Sequence, residues 1–440
     1  MGQVDVVRDG DGGVRISSVT GREEADREGT GREDPGLELP VFARAVLEVA
    51  GAVLTLSAVD GPGLPSADVH DPALAQQWLW AVYGERVASA VHACATGTGG
   101  SAPARVTVDE TALAVAAGRL AFGHWASRWW PASYLDGIPA PRSDLLAMES
   151  AALTHQCQQL FDPADEQDDD CAARLIEEHA AVLDLMVDWW RSAPAQRAAQ
   201  GTAQGTVRHL ERVLRLVDAA ADAAGLDGPA LRRLRTSLDR GRPADGAPVP
   251  VLPGDLFARP SGYALAAGGT PSAAGRVMAR GTGVNDWCRY PPDLVDAAES
   301  SISWTARAVG ARRMIEVAVA AVGPATVPAV GVPLAAEIRL DGLVVNRLRL
   351  ERRDGLWSGA ADVELSGAES GAQSAARIEV GVLLPGFDPG FDPGVGAGPG
   401  RGAEGRAVRD SVRSLARRRL AATGGQFLAE TAAASADEDF

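Results

Sequence analysis

The chain has 440 residues, enough for two or three separately packed units, and 46% of them are apolar, an ordinary globular composition. Its net charge of −16 argues against a general binder of nucleic acid or of membrane surfaces, because both are polyanions. All 42 basic residues are arginine, which excludes a P-loop lysine, a Schiff base and a lysine general base.

The start, "MGQVDVVRDGDGG", has no basic region followed by an apolar run and does not read as a signal peptide. No apolar run is long enough for a membrane span. Cys94, Cys157, Cys171 and Cys288 are widely spaced and form no CxxC, so they read as reduced thiols of a cytoplasmic protein. The Ala- and Gly-rich, lysine-free composition reads as bacterial coding bias.

Residues 1–38 are rich in Gly and charge and are expected to be disordered, since they hold little apolar surface to offset ordering. A mainly helical domain is expected over 39–240, with a short strand or hairpin at 43–60 centred on Gly51. Asp71-Pro72 reads as an N-cap followed by proline at the first helical position, and the helix is expected to run on past Tyr83 and Val87. A second helix opens near Asp109 and stops at Pro131, a third starts at Ser143, and others cover about 169–191, 205–224 and 229–239. The whole stretch reads as a helical bundle with short connections.

Residues 241–300 read as a Pro/Gly-rich linker and a mixed region. From 301 to 386 apolar residues alternate, as in Ile302, Trp304, Ala306 and again in Ile315, Val317, Val319. Asp341-Gly342 and Asp354-Gly355 are hairpin turns, so an antiparallel β domain is expected, a small sheet or sandwich. Residues 387–440 read as a Gly-rich linker, a tethered basic helix and an acidic tail. The fold class is therefore α+β: a helical-bundle-like domain, then a small antiparallel β domain, with mobile ends.

No motif of a metalloprotease, α/β-hydrolase, P-loop or EF-hand is present, and no family's motifs match residue by residue. "GTGGS" at 97–101 follows a helix rather than a strand and reads as a helix-ending loop. His155, Cys157, Cys171 and His179 cannot converge on one metal without breaking a helix, so neither a metal nor any cofactor is expected. The acidic run from Asp162 to Asp170 lacks the EF-hand Gly and Glu and reads as a solvated loop running into a helix start.

Three features carry what function the sequence offers. "FGHWASRWWPASY", 122–134, sets Phe122, Trp125 and Trp129 on one helical stripe, so the tryptophans should be buried and His124 and Arg128 should not. "GTGVNDWCRYPPD", 281–293, offers Asn285, Asp286, Trp287, Arg289 and Tyr290 as a pocket at a domain junction, or as a loop pinned by its aromatics. Arg406, Arg409, Arg413, Arg417, Arg418 and Arg419 crowd the C-terminal helix and could dock on a protein partner or fold back on the chain's own acids. The expected function is a non-enzymatic interaction or adaptor component of a multiprotein system. The alternatives are a hydrolase-like enzyme with its site at the domain junction, and an anion or nucleic-acid contact through the basic helix.

Overall fold

The computed structural model describes residues 2–9, 12–18, 41–59, 63–98, 103–161, 166–192, 202–241, 275–322, 333–353, 355–363, 377–387, 403–422 and 424–435. It is a mixed helix and sheet protein, and its paired strands run antiparallel. Two units are present, and they are not the sequential pair expected. The first comprises Met1–Ser127, Pro141–Ala258 and Arg418–Phe440; the second comprises Arg128–Ala140 and Arg259–Arg417.

The first unit contains a six-stranded sheet. Its strands are β1 (Gly2–Arg8), β2 (Val14–Ser18), β3 (Arg44–Val49), β4 (Ala52–Ser57), β5 (Ser66–Val69) and β6 (Ala104–Val108), in the order β3-β4-β5-β2-β1-β6. Two of these correct the expectation of a disordered N-terminus. Val4, Val6, Val14 and Ile16 alternate with polar residues and are fully buried. On the other face Asp5 lies opposite Arg105 and Arg15 opposite Asp68, each pair closed by an ion pair at 2.9 Å. Composition averaged over 38 residues hid this pairing, because strands need only four inward apolar residues when distant strands flank them. The charge-rich stretch at 19–40 lies outside the described residues.

The β3–β4 hairpin turns at Gly51, which has φ of 71° and whose missing Cβ would lie 2.3 Å from the Asp71 carbonyl. No other residue fits there. The helices of this unit are α1 (Pro72–Tyr83), α2 (Glu85–Thr96), α3 (Ala112–Trp129), α4 (Ser143–Gln156), α5 (Glu166–Glu178), α6 (Val182–Ser192), α7 (Thr202–Ala223) and α8 (Pro229–Arg240), with α3 ending in the second unit. Asp71 caps α1 as expected, accepting from the amides of Ala73 and Leu74. The single helix read through Val87 is broken at Gly84, whose φ is 87°. Likewise the helix read over 169–191 is two, and the helical stretch contains β6. Aromatic donors tie helix to sheet: Trp78 Nε1 donates to the Ala50 carbonyl at 2.8 Å, and Trp125 Nε1 to that of Phe42 at 2.9 Å. Trp125 and Trp129 are buried and His124 is exposed, as the stripe requires; Arg128 is half-buried, its guanidinium 3.8 Å from the Trp129 ring.

The second unit holds two antiparallel sheets. One has the order β11-β10-β14, from β10 (Ala335–Leu340), β11 (Leu343–Arg349) and β14 (Ile378–Leu383). The other has the order β12-β13-β9-β8-β7, from β7 (Arg276–Thr282), β8 (Ile302–Val309), β9 (Arg312–Ala320), β12 (Glu351–Arg353) and β13 (Leu356–Asp362). The alternating residues Ile302, Trp304, Ala306, Ile315, Val317 and Val319 are all buried. Asp341 and Gly342 both take positive φ, 50° and 86°, in the β10–β11 hairpin, as a two-residue Asp-Gly turn demands.

Two helices close the described chain, α9 (Ala403–Ala421) and α10 (Leu428–Ser435). The expected tethered helix is not free: Arg409 and Arg413 of α9 are buried within the second unit. Replacing Ile16 by Ala should lower unfolding stability by about 2–5 kcal/mol, read from urea denaturation. An N-terminal segment outside the fold would leave the midpoint unchanged.

Candidate functional site

Three helices of the first unit leave a gap between them. The residues lining it are Ala112, Val115, Ala116 and Arg119 on α3, Glu149, Ala152, Leu153 and Gln156 on α4, and His209, Arg212, Val213 and Leu216 on α7. Each set falls at i, i+3, i+4, i+7, the spacing that places four side chains on one helical face. Such a stripe is about 10 Å long. Ala112, Ala116 and Ala152 are too small to fill the space, and a cavity of about 210 Å³ remains.

The cavity gathers its charged groups toward one end, and its walls are apolar apart from Gln156 at the other end of the α4 stripe. Arg119 closes its stripe, whereas Glu149 and His209 open theirs, and these three meet. Glu149 is only 1% exposed. Its Oε1 lies 2.9 Å from His209 Nε2 and 4.0 Å from an Arg119 Nη2, and its Oε2 accepts from the Ala429 amide of α10 at 3.2 Å. Burial of a carboxylate without such partners would cost several kcal/mol. Burial also lowers the Arg119 pKa from its ordinary value, and the charge of Glu149 opposes that shift.

His209 Nε2 is asked to serve two neighbours. It is 2.9 Å from Glu149 Oε1 and 3.1 Å from Arg119 Nη2. A protonated Nε2 donates to Glu149 and then faces Arg119 donor to donor; a bare Nε2 accepts from Arg119 and repels the carboxylate. The buried carboxylate has the larger need, so the first form is favoured. Among the described residues Arg119 Nη2 then keeps long oxygen contacts, to Glu149 at 4.0 Å and to the Gln426 carbonyl at 3.5 Å.

The chain end seals this polar end. Phe427 stacks on Phe122 with ring centroids 6.0 Å apart, and the Arg119 guanidinium lies 5.2 Å from the Phe427 ring. Buried Glu430 accepts from Arg419 at 2.5 and 2.6 Å and from the Phe427 amide at 2.7 Å. None of Arg119, Glu149, His209 or Glu430 was singled out from sequence. The stripes were visible helix by helix, but nothing in the sequence said that three of them converge.

The residues that were singled out lie elsewhere. In the second unit Asn285 is fully buried; its Nδ2 donates to the carbonyls of Asp296 and Ala298 and to Ser301 Oγ, and its Oδ1 accepts from the Tyr290 hydroxyl. Asp286 caps the short turn Trp287–Arg289. Trp287 and Tyr290 are buried, and Arg289 lies 3.5 Å from buried Glu337. These residues form an interlocked knot in this structure. The small space they border holds about 30 Å³, one water's share of liquid volume.

The six tail arginines divide. Arg409 bonds Glu299 at 2.5 Å; Arg413 donates to the Ala297 carbonyl at 2.9 Å and reaches Asp410. Arg406 and Arg417 are exposed and lie 3.6 and 3.5 Å from Glu299 and Asp136. Arg418 is exposed, and Arg419 belongs to the Glu430 pair. Of the residues weighed for a metal, Cys157 is buried and burial pushes its thiol up to about 12. Among the described residues no group of three or more His, Cys, Asp or Glu is placed to hold a metal ion. Asp162 and Asp165 lie outside them, as does most of "GTGGS". No described helix is long and apolar enough to cross a membrane.

The fold and the site thus define a two-unit mixed α and β protein whose first unit carries a part-open cavity with a charged end. A scan against family models, a search of curated proteins and a search of solved structures each found no match.

Glu149→Ala should cost about 3 kcal/mol or more in urea denaturation, since it strands Arg119 and frees α10. It should also speed amide exchange across 428–435. Tyr290→Phe should cost about 1–3 kcal/mol by leaving the buried Asn285 oxygen unpaired. A change below 0.5 kcal/mol would show that the 281–293 loop is not held by this knot.

Proposed function

We propose that this chain works by binding rather than by catalysis, as an interaction component whose first unit is a receptor for a small molecule in the three-helix cavity. The observation that carries this reading is the cavity's construction. Apolar walls give a ligand somewhere to leave water, and a few convergent polar groups at one end fix its orientation. Among the described lining residues there is no hydroxyl or thiol to act as a nucleophile. Glu149 is engaged on both oxygens, which suits a fixed wall.

The adaptor role expected from the tail extends this reading. Arg406 and Arg417, eleven residues apart on α9, fall on nearly one helical face, where an acidic protein surface could pair with them. Deleting the whole tail cannot test that, because α10 is part of the first unit's interior. The double variant Arg406→Glu with Arg417→Glu is the appropriate probe of partner capture.

One observation favours a second reading, a hydrolase. Glu149 holds the His209 ring at 2.9 Å, so the other ring nitrogen could take a proton from water. Ester turnover lost in His209→Gln would favour it.

The cavity reading is tested by filling the space. Native mass spectrometry of the full chain with a panel of small amphiphiles should show one-to-one adducts that Ala116→Leu abolishes. Equal adducts in both proteins would place binding elsewhere and contradict the reading.

A further inference from the structure

The charge and size of the cavity name the class of its occupant. This step rests on the cavity being a binding site. Two guanidiniums, Arg119 and Arg212, face one carboxylate, Glu149, so these three groups leave one positive charge uncompensated. Glu149 carries one negative charge against two positive ones, and its oxygens accept from His209 and the Ala429 amide. Among the described residues Arg119 reaches the Gln426 carbonyl at 3.5 Å and Glu149 at 4.0 Å, both longer than a good charge-assisted bond. Arg212 is exposed and has no ion pair among the described residues. A planar anion between them would give Arg119 a closer charged acceptor than these and would meet the guanidinium fork side-on.

The rest of the cavity sets the tail. Beyond the arginines the walls are Val115, Ala116, Ala152, Leu153, Val213 and Leu216, with Gln156 the one neutral polar side chain lining that part, and the cavity of about 210 Å³ equals about seven water volumes. That suits a chain of about six carbons. A second charge on the ligand would lie beside apolar side chains and Gln156, with no charged partner among the lining residues there.

We infer that the three-helix cavity binds a short-chain monocarboxylate, its carboxylate on Arg119 and Arg212 and its alkyl chain between α3, α4 and α7. The probes are hexanoate, hexanol and hexylamine, titrated calorimetrically into the full-length protein. Hexanoate should bind one to one, and hexanol and hexylamine about tenfold or more weakly, the value of one charge-assisted hydrogen bond. Arg119→Gln should weaken hexanoate about tenfold or more and leave hexanol unchanged. Arg212→Gln, a surface change that leaves the interior intact, should weaken hexanoate severalfold, which keeps the test open if Arg119→Gln does not fold. Hexanol or hexylamine binding as tightly as hexanoate, with Ala116→Leu abolishing both, would overturn the carboxylate assignment and leave the cavity reading standing. Hexanoate binding untouched by either arginine variant would overturn it too. Binding of none of the three probes would overturn both.

Discussion

The first unit turns on one buried carboxylate. Glu149 sits 1% exposed in the middle of α4. An unpartnered charge there would cost several kcal/mol, a large share of a typical domain's stability. It is tolerated because three parts of the chain, far apart in sequence, bring it a partner. His209 comes from α7, Arg119 from α3 and the Ala429 amide from α10. Each of those elements is held by apolar packing of its own, and Glu149 fixes which way they face. Removing it leaves its partners without their acceptor, which is why the polar end behaves as one assembly rather than three separate contacts.

The same logic shapes the second unit but reaches a different end. Asn285, Tyr290, Asp296 and Ser301 satisfy one another, and Asp296 also accepts from Ser133 Oγ and the Tyr134 amide at 2.7 Å. Burial raises the Asp296 pKa above the usual carboxylate range, against those hydrogen bonds. Arg409 and Arg413 are likewise spent on Glu299, Asp410 and the Ala297 carbonyl. A residue whose hydrogen bonds are complete has little left for a ligand. Arg119 differs: its position is fixed by neighbours that do not fully satisfy it.

Much of the local structure was legible in the sequence. Asp71-Pro72 announced a helix start, Asp341-Gly342 a hairpin, and the Trp125 and Trp129 stripe a buried face, because in each the physics is contained in a few adjacent residues. Failures came where the deciding partner is remote. Val4 and Val6 lie in a charged, Gly-rich segment and become strand residues only beside β6 and β2. Gly84 breaks a helical run that its apolar spacing would have continued. The site was the least legible feature. Arg119, Glu149 and His209 each look like an ordinary helix residue, and Glu149 becomes unusual only once α3, α7 and α10 close over it. The tail arginines drew attention by density, yet the structure spends the two most buried of them on the chain's own acids.

His209 donates its Nε2–H to Glu149 in a hydrogen bond, which leaves Arg119 with only long contacts to oxygen acceptors among the described residues. The ¹⁵N chemical shifts of the His209 ring, assigned by comparison with His209→Gln, report the tautomer directly. The expected result is a protonated Nε2 that stays protonated when hexanoate is added, with the Arg119 Nη signals shifting on titration. A bare Nε2 accepting from Arg119 would mean that the guanidinium is already satisfied, and would contradict the claim.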